Sequence, residues 1–352
     1  MSENSKGKIS KYFAAANSYN GFVSFFEDVF PSEKFDRIYV LKGGPGTGKS
    51  SFMKKASAAL KDKGCDIEEI YCSSDPNSLD GLIAKKNFKQ IAIIDGTAPH
   101  ERDAVIPGAI DEIINLGNSW DSRWLSGNKD RITSIGKEKS KAYKSAYSYL
   151  KIAGSADDFI FNIYKGIFDK NKAKIKAEEI LSDVSSNDKP LISTRLISSF
   201  GRYGSFGIGI KEGHNGRIIE VYGDDFFATL FLDTLTEVAI SMGVSFIRFP
   251  TPLDPAHTGG IYIENARLGV VKSDVGDINA NEFITDDKMY SERTRRAKEI
   301  KKSALEEAER WFSIASELHF QLEEIYGASM NFDKNNEIFE VKLREIENIL
   351  QF

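Results

Sequence analysis

The sequence has only two cysteines, Cys65 and Cys72, in 352 residues. They straddle a predicted strand at no zinc-type spacing, which points to reduced thiols in or near a core rather than to a disulfide. Long apolar runs are also missing: no stretch reaches the roughly 18 residues a spanning helix needs, so no membrane partner is expected. The stretch from Met1 to Lys11 is polar and lacks the apolar segment of a secretory signal, which leads to the expectation of a cytoplasmic protein. Net charge is only −5, which excludes an overall pull toward nucleic acid or anionic lipid. Hydrophobic and charged fractions of 41% and 28% are those of an ordinary globular chain.

Against that plain background one stretch stands out, Gly43-Gly44-Pro45-Gly46-Thr47-Gly48-Lys49-Ser50, followed by Ser51. It is preceded by the apolar run Ile38, Tyr39, Val40, Leu41 and followed by Phe52, Met53, Ala56 and Leu60 at helical spacing. Strand, glycine-rich turn and helix N-terminus come in the order a phosphate cradle needs. The pattern is the Walker A loop, in which glycines let backbone N–H groups turn onto the phosphates. In that reading Gly43 to Ser51 bind the nucleotide, Lys49 reaches its β and γ phosphates and the Ser50 hydroxyl holds Mg²⁺. The run Ile91 to Ile94 ends in Asp95, a Walker B pattern that would place a second Mg²⁺ ligand beside the loop.

The rest of the chain supplies a frame. Residues 22–30 read as a short helix closed by Pro31, residues 67–72 as a strand, and residues 73–81 as a polar loop, so one strand is expected between Lys49 and Asp95. The loop from Gly96 to Gly108 follows the strand's C-terminal end, where open α/β sheets bind ligands. Its His100, Glu101 and Asp103 are candidate water-orienting groups, since Gly96 stands where many motor ATPases carry a catalytic glutamate. A helix is expected from Ala109 to about Leu116. From Lys129 to Lys176 strand signals vanish and a helical hairpin is predicted, with 12 Lys and Arg against 5 Asp and Glu. Such a basic arm suits a nucleic-acid or acidic protein partner, the plainer reading being a solvated helix surface. Strands return at residues 217–222 and 244–249. The chain closes with a coiled-coil-like seam through Ile300, Ala304, Ala308, Trp311, Ala315, Leu318, Leu322 and Ile325.

The two halves repeat each other. Ile9-Ser10 and Gly21 match Ile192-Ser193 and Gly204; Arg37-Ile38 and Gly43 match Arg217-Ile218 and Gly223; Gly64, Asp75-Pro76 and Gly81 match Gly243, Asp254-Pro255 and Gly260. Ile152-Ala153 and Tyr164 match Ile314-Ala315 and Tyr326. Collinear matches with small drifts describe a tandem duplication. The expected architecture is α/β: two tandem P-loop NTPase-like cores (1–128 and 187–286), each followed by a helical hairpin arm (129–186 and 287–352). The second core is degenerate. Where the first has GGPGTGKS the second has GDDFFATL at residues 223–230, which sets Thr229 and Leu230 against Lys49 and Ser50 and offers carboxylates to a phosphate.

The strings LKGGPGTGKSSFMKK, CSSDPNSLDG, DGTAPHERD and PGAIDEIINLG resemble those of an uncharacterised bacterial family of tandem P-loop ATPases, over essentially the whole chain. The resemblance implies ATP as the nucleotide and its hydrolysis as the activity. Members carry a P-loop in each half, a pattern this chain departs from at residues 223–230. Three functions stay open from the residues: an Mg-dependent ATPase with catalytic Lys49, Asp95, His100 and Glu101; a small-molecule kinase; and a nucleotide-gated binding module. One nucleotide per chain is expected, with Arg195, Arg202 and Arg248 of the second half as candidates for a cation supplied to the γ-phosphate.

Overall fold

The computed structural model describes residues 6–99, 101–210, 214, 216–285 and 289–352. In the first half the strands are β1 (Ile9–Phe13), β2 (Ala15–Ser18), β3 (Gly21–Ser24), β4 (Arg37–Lys42), β5 (Asp66–Tyr71), β6 (Leu79–Lys86), β7 (Lys89–Asp95) and β8 (Asp111–Asn115). The helices are α1 (Phe26–Val29), α2 (Lys49–Asp62), α3 (Ser122–Gly127), α4 (Lys129–Ile167) and α5 (Lys170–Leu181). The second half has β9 (Ile192–Thr194), β10 (Ser198–Gly201), β11 (Gly204–Gly207), β12 (Arg217–Tyr222), β13 (Phe246–Pro250), β14 (Thr258–Ile263), β15 (Leu268–Lys272) and β16 (Ile278–Asn279). Its helices are α6 (Asp225–Ser241), α7 (Tyr290–Gly327) and α8 (Phe332–Ile349).

The first sheet runs β1-β5-β6-β7-β4-β8, and the second runs β9-β13-β14-β15-β12-β16. Position for position this is the same sheet built twice. In each, a single strand (β6 or β14) runs against the others. The two α/β cores are therefore present, with the strand order the repeat implies.

The cores are not separate bodies. Along β4 the side chains alternate, Tyr39 and Leu41 to one face and Ile38 and Val40 to the other, as a strand's period of two requires. Tyr39 and Leu41 pack under α2 and α8 with Phe52, Met53 and Phe339. Ile38, Val40 and Ile94 instead share a core with Phe249, Tyr262 and Val271 of the second sheet. Ile219, Ile261 and Ile263 turn outward beneath α5 and α6. The order of layers is helices, sheet, sheet, helices. The second half thus covers an apolar face that the first core would otherwise leave in water.

The arms are exchanged. α4 and α7 pair antiparallel: Ile135 meets Leu322 and Ile325 near one end, and Lys301 pairs with Asp157 near the other. Ala142, Ala146, Ala153, Ala304, Ala308 and Ala315 are all buried on these two helices, and such small side chains permit close approach. At 1.5 Å per residue the 39 residues of α4 span about 58 Å, enough to reach from its own core to the other. α5 consequently packs on α6, and α8 on α2. Each arm follows one core in the chain and finishes on its neighbour. Of the predicted seam, Ile300 stays 42% exposed, while Ala304, Ala308, Ala315, Leu322 and Ile325 are buried.

Three local expectations change. Residues 109–116 are not a helix: Asp111–Asn115 is an edge strand pairing in parallel with β4. The polar loop expected at 73–81 ends at Leu79, where β6 begins, so two strands lie between Lys49 and Asp95. β6 returns into β7 through Asn87, whose φ of 54° is a turn conformation asparagine tolerates. Residues 22–30 divide between β3 and the single turn α1. Cys65 and Cys72 are free thiols, as expected.

Candidate functional site

β4 delivers the chain to Gly43 at the C-terminal edge of the first sheet, and α2 leaves from Lys49. Between them the backbone curls back, with Gly46 at φ 68° and Gly48 at φ 89°, values that favour glycine. Thr47 is fully buried and its hydroxyl donates to the Gly44 carbonyl at 2.8 Å, fixing the curl. No side chain caps the first turn of α2. Its unpaired N–H groups and the positive end of its dipole face the loop. Pro45 lies in the loop and Ser51 is exposed on the first turn.

Lys49 Nζ donates to the carbonyls of Gly43 (3.0 Å) and Gly44 (2.8 Å) and stands 3.7 Å from Asp95 Oδ2. The other oxygen of Asp95 accepts from the Thr97 backbone N–H (2.9 Å) and hydroxyl (2.6 Å). Burial raises the Asp95 carboxyl above its ordinary range, against the attraction of Lys49. Ser50 Oγ accepts the Leu79 N–H at 2.9 Å, which ties the start of α2 to the start of β6. Lys49, Ser50 and Asp95 are thus brought together.

The same geometry assembles a residue the sequence reading left in a loop. Asp80 is 6% exposed, and the β6–β7 register that pairs Gly81 with Ile94 sets it beside Asp95. Its charge helps raise the Asp95 carboxyl. A second carboxylate therefore lies beside Asp95, on the strand whose first residue bonds Ser50. The signal was the carboxylate inside the apolar run Leu79-Asp80-Gly81-Leu82, legible once that run is seen as a strand.

The remaining candidates are distributed otherwise. His100 lies outside the described residues. Glu101 is exposed, and no hydrogen bond or ion pair joins it to Lys49 or Asp95 among the described residues. Its neighbour Arg102 turns away, donating to the Phe30 carbonyl (2.6 Å) and Ser32 Oγ (2.8 Å). Arg195 binds Glu68 at 3.0 Å, and Arg248 is held by Thr258 and the carbonyls of Pro255 and Ala256. Arg202 donates to Ser316 Oγ of α7 at 2.9 Å, while its hairpin touches the 73–77 loop through the Ser199 hydroxyl on the Ser73 carbonyl at 2.8 Å. Several arm lysines meet local carboxylates, as in Lys141–Glu138, Lys174–Glu178 and Lys176–Glu179.

The arm of the second half closes on the loop. Tyr326 lies so near Gly44 that a Cβ there would sit 2.8 Å from its ring. A Cβ on Gly46 would strike the Glu323 backbone, and Asn335 Nδ2 donates to the Thr47 carbonyl at 2.9 Å.

In the second core the corresponding place is rebuilt. α6 starts at Asp225, with only Gly223 and Asp224 between it and β12, so helix replaces the loop. Asp224 caps it, accepting from the Phe226 N–H at 3.1 Å, and also accepts from Tyr164 (2.9 Å) and Lys298 (3.0 Å). The ladders set Asp95 opposite Leu41 and Lys272 opposite Val221, so Lys272 occupies the place of Asp95. Asp225, first in its helix as Lys49 is in α2, pairs with Lys272 at 2.7 Å. The ion pair is kept with its charges interchanged, and its anion-facing end is a carboxylate.

No protein-family model matches the chain, and neither the curated proteins nor the solved structures give a match. Among the described residues no helix is long and apolar enough to cross a membrane.

Proposed function

We propose that the chain is an Mg-dependent ATPase with one nucleotide site, in the loop and first turn from Gly43 to Ser51. The observation that carries this reading is the pairing of an uncapped α2 N-terminus with a left-handed glycine loop over which Lys49 is already held. A phosphate oxygen would exchange two neutral hydrogen bonds of the Lys49 ammonium for charge-assisted ones. The residues fit Mg²⁺: Ser50 Oγ accepts the Leu79 N–H and has a lone pair to spare, and Asp95 Oδ2 faces the loop. Magnesium is commonly held by one or two protein oxygens together with phosphates and water. When bound, it neutralises charge on the transferred phosphoryl group. In this reading Asp80, on the strand beside Asp95, would orient water and accept the proton the attacking water gives up. The products are ADP and inorganic phosphate.

A nucleotide-gated binding module is the second reading, favoured by the seating of Tyr326 and Asn335 on the loop. The deciding experiment incubates purified chain with Mg-ATP and follows phosphate release, alone and with candidate acceptors, DNA and RNA. Free phosphate without an acceptor supports the ATPase. Transfer to a metabolite makes the chain a kinase, and binding without turnover leaves the gated module.

A further inference from the structure

The second core has lost its loop but not a cavity. About 1060 Å³ of space opens at the C-terminal edge of its sheet, between the ends of β12, β13 and β15, the start of α6, the β10–β11 hairpin and α4. That is the edge where the first core carries Lys49 and Asp95. We propose that this cavity is a second ligand site, built for a small organic cation: an ammonium group on an apolar body.

The charge of the walls argues the class. Six carboxylates line the space, on Asp157, Asp158, Glu220, Asp225, Asp254 and Asp274. The cations there are already engaged. Lys272 holds Asp225 at 2.7 Å, Lys301 holds Asp157, and His257 Nδ1 is 2.6 Å from Asp233. Among the described residues no cation pairs with Asp158 or Asp274. An anion entering would meet unbalanced negative charge, and the one helix N-terminus within reach is capped by Asp224. A cation would meet a net negative lining in which, among the described residues, the exposed Asp158 and Asp274 carboxylates are not already paired with a cation.

The apolar walls argue the body. Tyr19, Phe161, Phe206 and Phe226 bring aromatic rings to the cavity, and ring faces attract ammonium groups. Tyr19 is buried at the cavity wall, and its hydroxyl lies beside the Asp157 carboxylate. The volume is that of a site for a small molecule of drug-like size.

The test needs no nucleotide. Purified full-length chain is titrated by calorimetry with spermidine and tryptamine, and with benzoate and adenosine monophosphate as anions. At least one amine should bind once per chain, and benzoate should not compete with it. The double substitution Asp158→Asn with Asp274→Asn, on exposed side chains, should weaken that binding about tenfold. Ser205→Trp, on the exposed rim of the hairpin, should abolish it by filling the mouth. Lys49→Ala should leave it unchanged, which separates this site from the nucleotide reading. Failure of both amines to bind, amine binding indifferent to both cavity variants, or displacement by benzoate would each overturn the assignment.

Discussion

Tyr326 lies against Gly44 as Tyr164 lies against Asp224. The first ring covers the glycine loop of the first core; the second donates its hydroxyl at 2.9 Å to the residue at the matching place in the second core. Tyr164 and Tyr326 belong to the arms that follow the opposite cores, so the exchange is reciprocal and the loop is one surface with a helix from the other half. A change in the loop must move, or be resisted by, the far arm.

This coupling makes Gly46 more demanding than its place in a loop suggests. Gly46→Ala requires a side chain at φ 68° and drives a Cβ into the Glu323 backbone, which has no flexible end to yield. It should destabilise the chain by about 2–4 kcal/mol, beyond the 1–2 kcal/mol of left-handed backbone alone. Gly136→Ala, inside α4 with open space around it, should stabilise by about 0.5–1 kcal/mol. Denaturant unfolding of the two variants checks both signs.

Lys49→Ala should abolish nucleotide binding or reduce turnover by about a hundredfold or more. Its ammonium is bonded to loop carbonyls rather than to the apolar core, so circular dichroism should be unchanged. Calorimetry on the wild type should give one nucleotide per chain. Two per chain would contradict the rebuilding of the second site around Asp224 and Asp225.

Asp95 should show activity and stability moving in opposite directions. Burial raises its carboxyl pKa above 3.8 in the folded chain. A raised folded value means that the group's stabilising contribution is complete below pH 3.8 and is lost as pH rises through the folded value. At neutral pH the buried carboxylate is thus a cost that Asp95→Asn removes. The variant should hydrolyse ATP more slowly yet unfold at higher denaturant at pH 7, with the advantage fading toward pH 4. Equal stability differences at both pH values would contradict the burial argument.

The sequence was legible where a strand declares itself by an unbroken apolar run. Tyr39-Val40-Leu41 and Ile91 to Ile94 became β4 and β7, and the glycine loop between strand and helix fell in place. It misled where period competed with pairing. Ile110, Ile113 and Ile114 recur at helical steps, yet an open edge beside β4 made residues 111–115 a strand, because pairing satisfies their backbone groups. β6 was hidden by its polar approach and by Lys85-Lys86 at its end, and with it went Asp80. The repeat forecast the second sheet correctly, because element order survives when individual residues do not. The exchange of arms left no trace, since an amphipathic stripe records that a partner exists but not which core supplies it.

Arg195 and Glu68 provide the last test, of how the halves are joined. Glu68 is on β5 of the first core and Arg195 follows β9 of the second, and they meet at 3.0 Å with side chains 16% and 11% exposed. Burial opposes ionisation of Glu68, but Arg195 and Lys85 prevail and bring its pKa from 4.5 down to about 2. A lowered carboxylate stabilises the fold above its unfolded value and loses that stabilisation as pH falls through the folded one. The window is therefore about pH 4.5 to 2, and the shift corresponds to on the order of 3 kcal/mol. Arg195→Met should lower stability at pH 7 by roughly 2–4 kcal/mol, as expected when a mostly buried charge loses its partner. Near pH 2, where Glu68 is protonating in both proteins, most of the difference should vanish. Arg202→Ala is the matched control, because its partners Ser316, Tyr203 and Phe320 are uncharged and its loss should carry no such acid dependence. Urea unfolding at pH 7 and pH 2.5 separates the cases: a stability loss in Arg195→Met that is equal at both pH values would remove the ion pair from the interface and leave its side chain only a packing role.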